Sequence, residues 1–260
     1  MTRRTAWVDD RLAKPSVKAE LSNRQTLSLI ALAGLTTLLL AVVPGLDLLN
    51  YPFRLLITLV HELGHGLAAI LTGGDFVRFI VNTDGSGLAY TSGGWRMIVI
   101  PAGYLGVALF GGVLIMLGRS HRGASLAMGG LGLAMVVFSL RYGVPSIFSG
   151  DFLGGLVAVI SGVGFGLVFL VVALRATPGA VVFLLHVVAI QAGLTAFSDI
   201  IAVLGMSVPF SGGPRTDAVS MAELTFIPAI IWAGLWAIAA VVLIGGAIWL
   251  TWLRSNGDKS

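Results

Sequence analysis

Residues 53–71 read Phe53-Arg-Leu-Leu-Ile-Thr-Leu-Val-His61-Glu62-Leu63-Gly64-His65-Gly-Leu-Ala-Ala-Ile-Leu71. Outside the pentapeptide His61–His65 only Arg54 and Thr58 interrupt an apolar run, and a run of this length is a candidate membrane helix. Helical spacing then decides what the pentapeptide can do. Residues four apart share one face, so both imidazoles can reach a single metal ion. Glu62 follows His61 by one residue, about 100° round the helix axis. It can therefore flank a metal-activated water without being a ligand. His-Glu-x-x-His on a helix has the mechanics of a zinc hydrolase, and the apolar setting puts that site in a membrane.

Composition agrees with the setting. Of the 260 residues 57% are hydrophobic and 11% charged, with a mean hydropathy of +0.96. Soluble domains carry about 25% charged residues, so the chain reads as an all-α polytopic membrane protein. Cysteine is absent. That excludes disulfides and thiolate ligands, leaving His, Asp and Glu to hold any metal. The net charge of +4 comes from Lys and Arg flanking apolar runs and implies no nucleic-acid partner.

Residues 1–24 form a polar tail, expected on the cytoplasmic side, without the short apolar core and small-residue cleavage site of a signal peptide. Residues 25–252 are expected to be one integral membrane domain and 253–260 a polar C-terminal tail. About seven apolar runs fall near 25–43, 52–71, 97–117, 124–140, 152–174, 180–204 and 226–252. With the N-terminus inside and seven alternating crossings, ten Lys/Arg fall inside and six outside, the orientation expected of a multi-pass protein of the cell inner (plasma) membrane. Between the second and third runs, Phe76-Val-Arg-Phe-Ile-Val81 and Leu88-Ala-Tyr-Thr91 have strand character around an Asp84-Gly85 turn, which predicts a β-hairpin. An open edge facing lipid is costly, so the hairpin should lie at the interface or under protein. Glycines such as Gly103, Gly106, Gly162 and Gly166 read as close helix contacts.

A catalytic zinc usually has three protein ligands and a water, so a third ligand must come from elsewhere. His121 reads as a connecting-loop residue and His186 as a hydrogen-bonded helix residue. Asp199 lies in the apolar run Phe197–Leu204, where an ionisable group is expensive and marks a functional candidate. Asp217 stands just before the last run, where Thr216 or Asp217 also suits a helix cap. Asp151 opens the fifth run and reads first as a cap. In the reaction this predicts, Glu62 takes a proton from the zinc-activated water and passes it to the leaving amine. An extended substrate would add to the hairpin edge.

His61-Glu-Leu-Gly-His65, Leu71-Thr-Gly-Gly74, the hairpin and Pro101-Ala-Gly-Tyr-Leu-Gly106 resemble the site-2 protease family of intramembrane zinc metallopeptidases. The likeness is to the small bacterial branch without a PDZ domain. There a Ser/Thr-Asp-Ala-x-x-x-Ala element precedes a Trp-containing final helix, as Thr216-Asp217-Ala218-Val-Ser-Met-Ala222 precedes Trp232 and Trp236 here. The resemblance implies a Zn2+ enzyme with His61 and His65 as ligands and Glu62 as acid/base. It implies a membrane-embedded protein or peptide substrate, such as an anti-sigma factor or signal-peptide remnant, in the lipid bilayer, with room for a partner membrane subunit. The family's Leu-Asp-Gly or Asn-Pro-Asp-Gly element is missing, which leaves Asp199 and Asp217 ahead of Asp151 for the third position. The alternative is a non-proteolytic membrane scaffold that keeps the fold.

Overall fold

The computed structural model describes the backbone of residues 21–206 and 216–253, and the side chains of all of these but residues 47, 196–206 and 252–253. Ser22 opens the first helix with a capping box, its hydroxyl accepting from the Gln25 N–H while the Gln25 side chain accepts from the Ser22 N–H. The elements run α1 (Asn23–Val42), α2 (Asp47–Leu71), β1 (Asp75–Val81), β2 (Gly87–Ser92), α3 (Arg96–Val99), α4 (Ala102–Leu117) and α5 (His121–Phe138). A π-helical turn (Ser139–Gly143), α6 (Val144–Ile147), α7 (Phe152–Arg175), α8 (Pro178–Met206), α9 (Asp217–Thr225) and α10 (Ala229–Ile248) follow. Among the described residues, six helical segments are long and apolar enough to cross a membrane, and α4 is a shorter apolar seventh.

The second and third runs differ most in their boundaries from the sequence reading. The second helix starts at Asp47, so Pro52 lies inside it. The third run is not one helix but two, because Pro101 has no N–H to continue the ladder and α3 stops ahead of it.

Small residues set the helix packing. A Cβ on Gly132 would come within 2.7 Å of the Gly166 carbonyl oxygen, and one on Gly155 within 2.6 Å of the Ile147 nitrogen. These contacts draw α5 with α6 tightly against α7 and run them antiparallel. Leu56, Ile57, Leu59, Phe79, Met128, Met135 and Leu185 are fully buried in the main core.

Contacts also give each helix its direction. Gly179 meets Leu29 and Gly34 meets Ile190, so α1 and α8 are parallel; Gly118 meets His186 and Gly111 meets Ala189, so α4 opposes α8. Gly112 meets Ala247 while the Tyr104 ring stacks on Trp236, so α10 is parallel to α4. One end of the bundle thus collects the starts of α1, α5 and α8 and the ends of α4, α7 and α10. The opposite end collects the starts of α4, α7 and α10. In α2, Asn50 donates to the Leu40 carbonyl and accepts from Gln191 in mid-α8, whereas Gly64 packs against Ala102 at the start of α4. So α2 starts deep in the bundle and runs in the same direction as α1, toward the opposite end.

The hairpin folds back along α2. Its strands are antiparallel, Val81 pairing with Gly87 and Asp75 with Ser92, and a bulge at Val77 separates the Phe76 and Arg78 pairings. Gly85 takes the left-handed conformation that the turn requires (φ +86°). Tyr51 donates to the Thr83 carbonyl and Thr58 to the Gly85 carbonyl, while Ser146 donates to the Phe79 carbonyl from the other side. Protein therefore covers the tip of the hairpin and the outer edge of β1, where bare backbone in lipid would be costly.

Asp151 fastens it. Its carboxylate accepts from Arg78 Nη1 at 2.6 Å and from the Tyr90 hydroxyl at 2.9 Å, with the guanidinium 3.5 Å from the Tyr90 ring centroid. Asp151 occupies the N-cap position of α7 but makes no side-chain cap bond, so the expected capping role gives way to this anchor. The Arg78 guanidinium first, and the Tyr90 hydroxyl next, hold the Asp151 carboxyl below the usual carboxylate range. A lowered folded-state value means the contribution is present above the unfolded value of about 4 and is lost as pH falls below it. We expect amide-exchange protection of residues 75–92 to fall in Asp151→Asn at neutral pH, and in the wild type only below about pH 4; equal protection in both proteins at pH 7 would contradict the anchor.

Candidate metal centre

Three side chains from two elements, α2 and α9, converge toward the far end of α2. His61 Nε2 lies 3.0 Å from His65 Nε2 and 3.1 Å from Asp217 Oδ2, and His65 Nε2 lies 3.2 Å from the same oxygen. Helical spacing brings the two imidazoles together. Asp217 arrives from the first position of α9, and it is Thr216 that caps this helix, its hydroxyl accepting from the Val219 N–H at 3.3 Å. The aspartate is thereby left free to face the histidines. Among the described residues this is the one group of three or more acidic or imidazole side chains close enough to hold a metal ion.

The donor set fits zinc. Bonds of about 2.0–2.1 Å in a tetrahedron place ligand atoms roughly 3.3 Å apart, close to the three separations found. His65 Nδ1 donates to the Val99 carbonyl at 2.8 Å, which fixes the tautomer and leaves the Nε2 lone pair toward His61 and Asp217. That carbonyl is available because the helix breaks at Pro101. Without a cation, two imidazole nitrogens and a carboxylate oxygen would crowd together with few protons to share.

Around the three side chains the packing is close. A Cβ on Gly103 would run into the Nε2 atoms of both histidines, inside van der Waals contact. Gly103 is therefore more than a helix-contact glycine, because its missing side chain is the space where the ligand atoms meet. Tyr104 sets its ring edge-to-face against His61, centroids 4.8 Å apart at 88°. Tyr104 in turn stacks on Trp236, within a small apolar cluster that includes Ile100, Ala218 and Met221. Trp232 Nε1 donates to Thr225 at the end of α9. These contacts seat the helix that carries Asp217.

Glu62 is 5% exposed and sits on the hairpin side. Its carboxylate lies toward the Ala89 N–H of β2, and a Cβ on Gly87 would stand 2.5 Å from its Oε1. Gly87 and Gly103 carry no signal in a single sequence that separates them from the other glycines. Of the remaining candidates, Asp151 is committed to the hairpin anchor, and the Asp199 side chain lies outside the described residues although its backbone is helical in α8. His186 donates from Nδ1 to the Val182 carbonyl, as a helix histidine does, and His121 begins α5 rather than lying in a loop.

A family model described as Peptidase M50B-like matches residues 31–247. No curated protein and no solved structure matches the chain.

For the Gly103→Ala variant we expect zinc per purified chain to fall at least tenfold with the fold intact by size exclusion and circular dichroism. Gly106→Ala, whose Cβ would lie 3.6 Å from the Gly64 Cα, should keep it. Equal zinc in the two variants would show that Gly103 does not border the metal.

Proposed function

The chain belongs to the Peptidase M50B-like family, within the site-2 protease group, and from that premise we propose that it is a zinc-dependent intramembrane endopeptidase of the cell inner (plasma) membrane. The observation that carries this reading is the convergence of His61, His65 and Asp217 beside a buried Glu62. In it, His61, His65 and Asp217 hold the zinc, and Asp217 is the third ligand that the sequence left open. When bound, zinc supplies Lewis acidity, polarising a peptide carbonyl and acidifying a water molecule.

The protein's own groups do the rest. Glu62 has its carboxylate toward the Ala89 N–H and takes the proton of the attacking water. It then delivers that proton to the departing amine. Gly87 keeps the space beside Glu62 open. A peptide bond inside a helix is shielded and its carbonyl already bonded, so a substrate helix must unwind before attack. β2 offers an extended edge next to Glu62 on which an unwound segment can pair, which is the support for the hairpin as substrate platform. The substrate class is a membrane-embedded protein or peptide, with the lipid bilayer as its medium and no nucleic acid involved.

Glu62→Gln tests the assignment. It should retain about one zinc per chain while cleavage of a coexpressed panel of tagged transmembrane segments falls by a factor on the order of 10² or more. Gly87→Val should impair cleavage and leave the zinc in place. Zinc-loaded wild type that cuts nothing in a Glu62-dependent way would favour the non-proteolytic scaffold.

A further inference from the structure

Arg54 is a charged side chain that the zinc chemistry leaves unused. It is the eighth of the 25 residues of α2, inside a segment long and apolar enough to cross a membrane. Asn50, one turn earlier, bonds to Gln191 in the middle of α8. Arg54 therefore stands away from the helix ends, where long cationic side chains reach lipid headgroups. An ionisable group at such a place is expensive and calls for a partner. Arg54 is exposed, and among the described residues its one hydrogen bond, from Nη1 to the Asp84 carbonyl, is long at 3.5 Å. The Asp84 carboxylate is held instead by the Ser86 N–H and hydroxyl. No carboxylate among the described residues forms an ion pair with the guanidinium.

The hairpin register shows what Arg54 borders. The bond from the Asn82 N–H to the Ser86 carbonyl makes Val81–Gly87 and Phe79–Ala89 the non-hydrogen-bonded pairs of the ladder. Phe79 accordingly turns its carbonyl outward to Ser146, and Gly87 and Ala89 turn their N–H and C=O outward on the opposite edge. Along that edge α2 sets Arg54, Thr58 and Glu62, each one turn from the next on one face. A Cβ on Gly85 would run into Arg54 Cδ, Thr58 donates to the Gly85 carbonyl and lies beside Gly87, and Glu62 lies beside Gly87 and toward Ala89. The two elements keep pace. From Arg54 to Glu62 the helix rises roughly 12 Å, and at strand rise Gly85 to Ala89 covers about 13 Å.

We propose that Arg54 selects substrates carrying a carboxylate about three or four residues to the C-terminal side of the scissile bond. This rests on the peptidase reading and on the β2 edge as its substrate platform. An extended peptide rises about 3.3 Å per residue, so the helical distance from Glu62 to Arg54 fixes the spacing. Antiparallel pairing is the commoner kind. Because β2 runs away from the hairpin tip, it sets the C-terminal side of the peptide toward Arg54. The carboxylate is an Asp or Glu side chain or the end of the substrate chain, since either accepts two parallel N–H bonds from a guanidinium.

Binding tests this separately from cleavage. Zinc-loaded Glu62→Gln protein in phosphatidylcholine vesicles would be photocrosslinked, from benzoylphenylalanine in place of the exposed Leu88, to synthetic leucine-alanine transmembrane peptides unwound by a central Gly-Pro pair. One peptide carries Asp four residues after the pair, and two others carry Asn or Lys there. A further two end at that position with a free or an amidated C-terminus. The Asp peptide should crosslink about tenfold more than the Asn peptide, or the free terminus about tenfold more than the amidated one; which pair differs tells a side chain from a chain end. Adding Arg54→Gln, with zinc content and circular dichroism unchanged, should level these preferences, and adding Arg54→Glu should favour the Lys peptide. Wild-type protein should cut the preferred peptide about three or four residues before the carboxylate. No preference in either pair, a cut at another spacing, or an equal loss of all peptides in Arg54→Gln would overturn the proposal. The last is the behaviour of an arginine that only clasps the hairpin tip or a lipid phosphate. The comparison of peptides needs no Arg54 variant to fold, and a preference without cleavage by the zinc-loaded wild type would sink the peptidase reading alone.

Discussion

Three donor atoms held within 3.2 Å of one another in a mostly apolar bundle are the constraint on which the rest of this structure depends. Crowding two imidazoles and a carboxylate in a low-dielectric interior carries a desolvation cost that a bound cation would repay. Neighbouring features are explicable as accommodation of that cluster. Proline breaks the α3–α4 run and leaves a carbonyl for His65, glycine replaces any side chain at position 103, and an aromatic stack seats the short helix bearing Asp217.

The hairpin obeys a second constraint, the cost of unpaired backbone away from water. Tyr51 and Thr58 of α2 serve its tip, Ser146 serves the outer edge of β1, and Asp151 ties its middle to α7. What remains of β2 faces Glu62. A strand with this much support on one side and a carboxylate on the other is well suited to present an extended peptide, whereas a hairpin serving only as packing would have no need of Gly87 at the carboxylate. The two constraints meet at Glu62, which belongs to the metal helix and faces the strand.

Orientation depends on the same architecture. Counting apolar runs treats each as a crossing that reverses the last. The polar bonds of Asn50 to α1 and mid-α8, taken with the packing of Gly64 on Ala102 at the start of α4, show instead that α2 continues the direction of α1. Side-chain amides buried among apolar helices hold such an arrangement because breaking them would leave polar groups unpaired in an apolar environment.

Much of this was legible in the residues themselves. Apolar runs of membrane length, the spacing of His61 and His65, Glu62 one residue on, and the turn at Asp84-Gly85 are local patterns, and local patterns survive reading in one dimension because helix and hairpin geometry repeat within a few residues. The acidic member of the candidate site was not legible. Asp199, Asp217 and Asp151 each had a sound local alternative, and only the packing of α9 brings Asp217, 156 residues from His61, to the histidines, while Arg78 and Tyr90 engage Asp151. Gly87 and Gly103 were equally hidden, since the value of a missing side chain depends on what fills its place. The direction of α2 was decided in the same way, by long-range contacts, because the handedness and pitch of a helix are local properties and its orientation among neighbours is not.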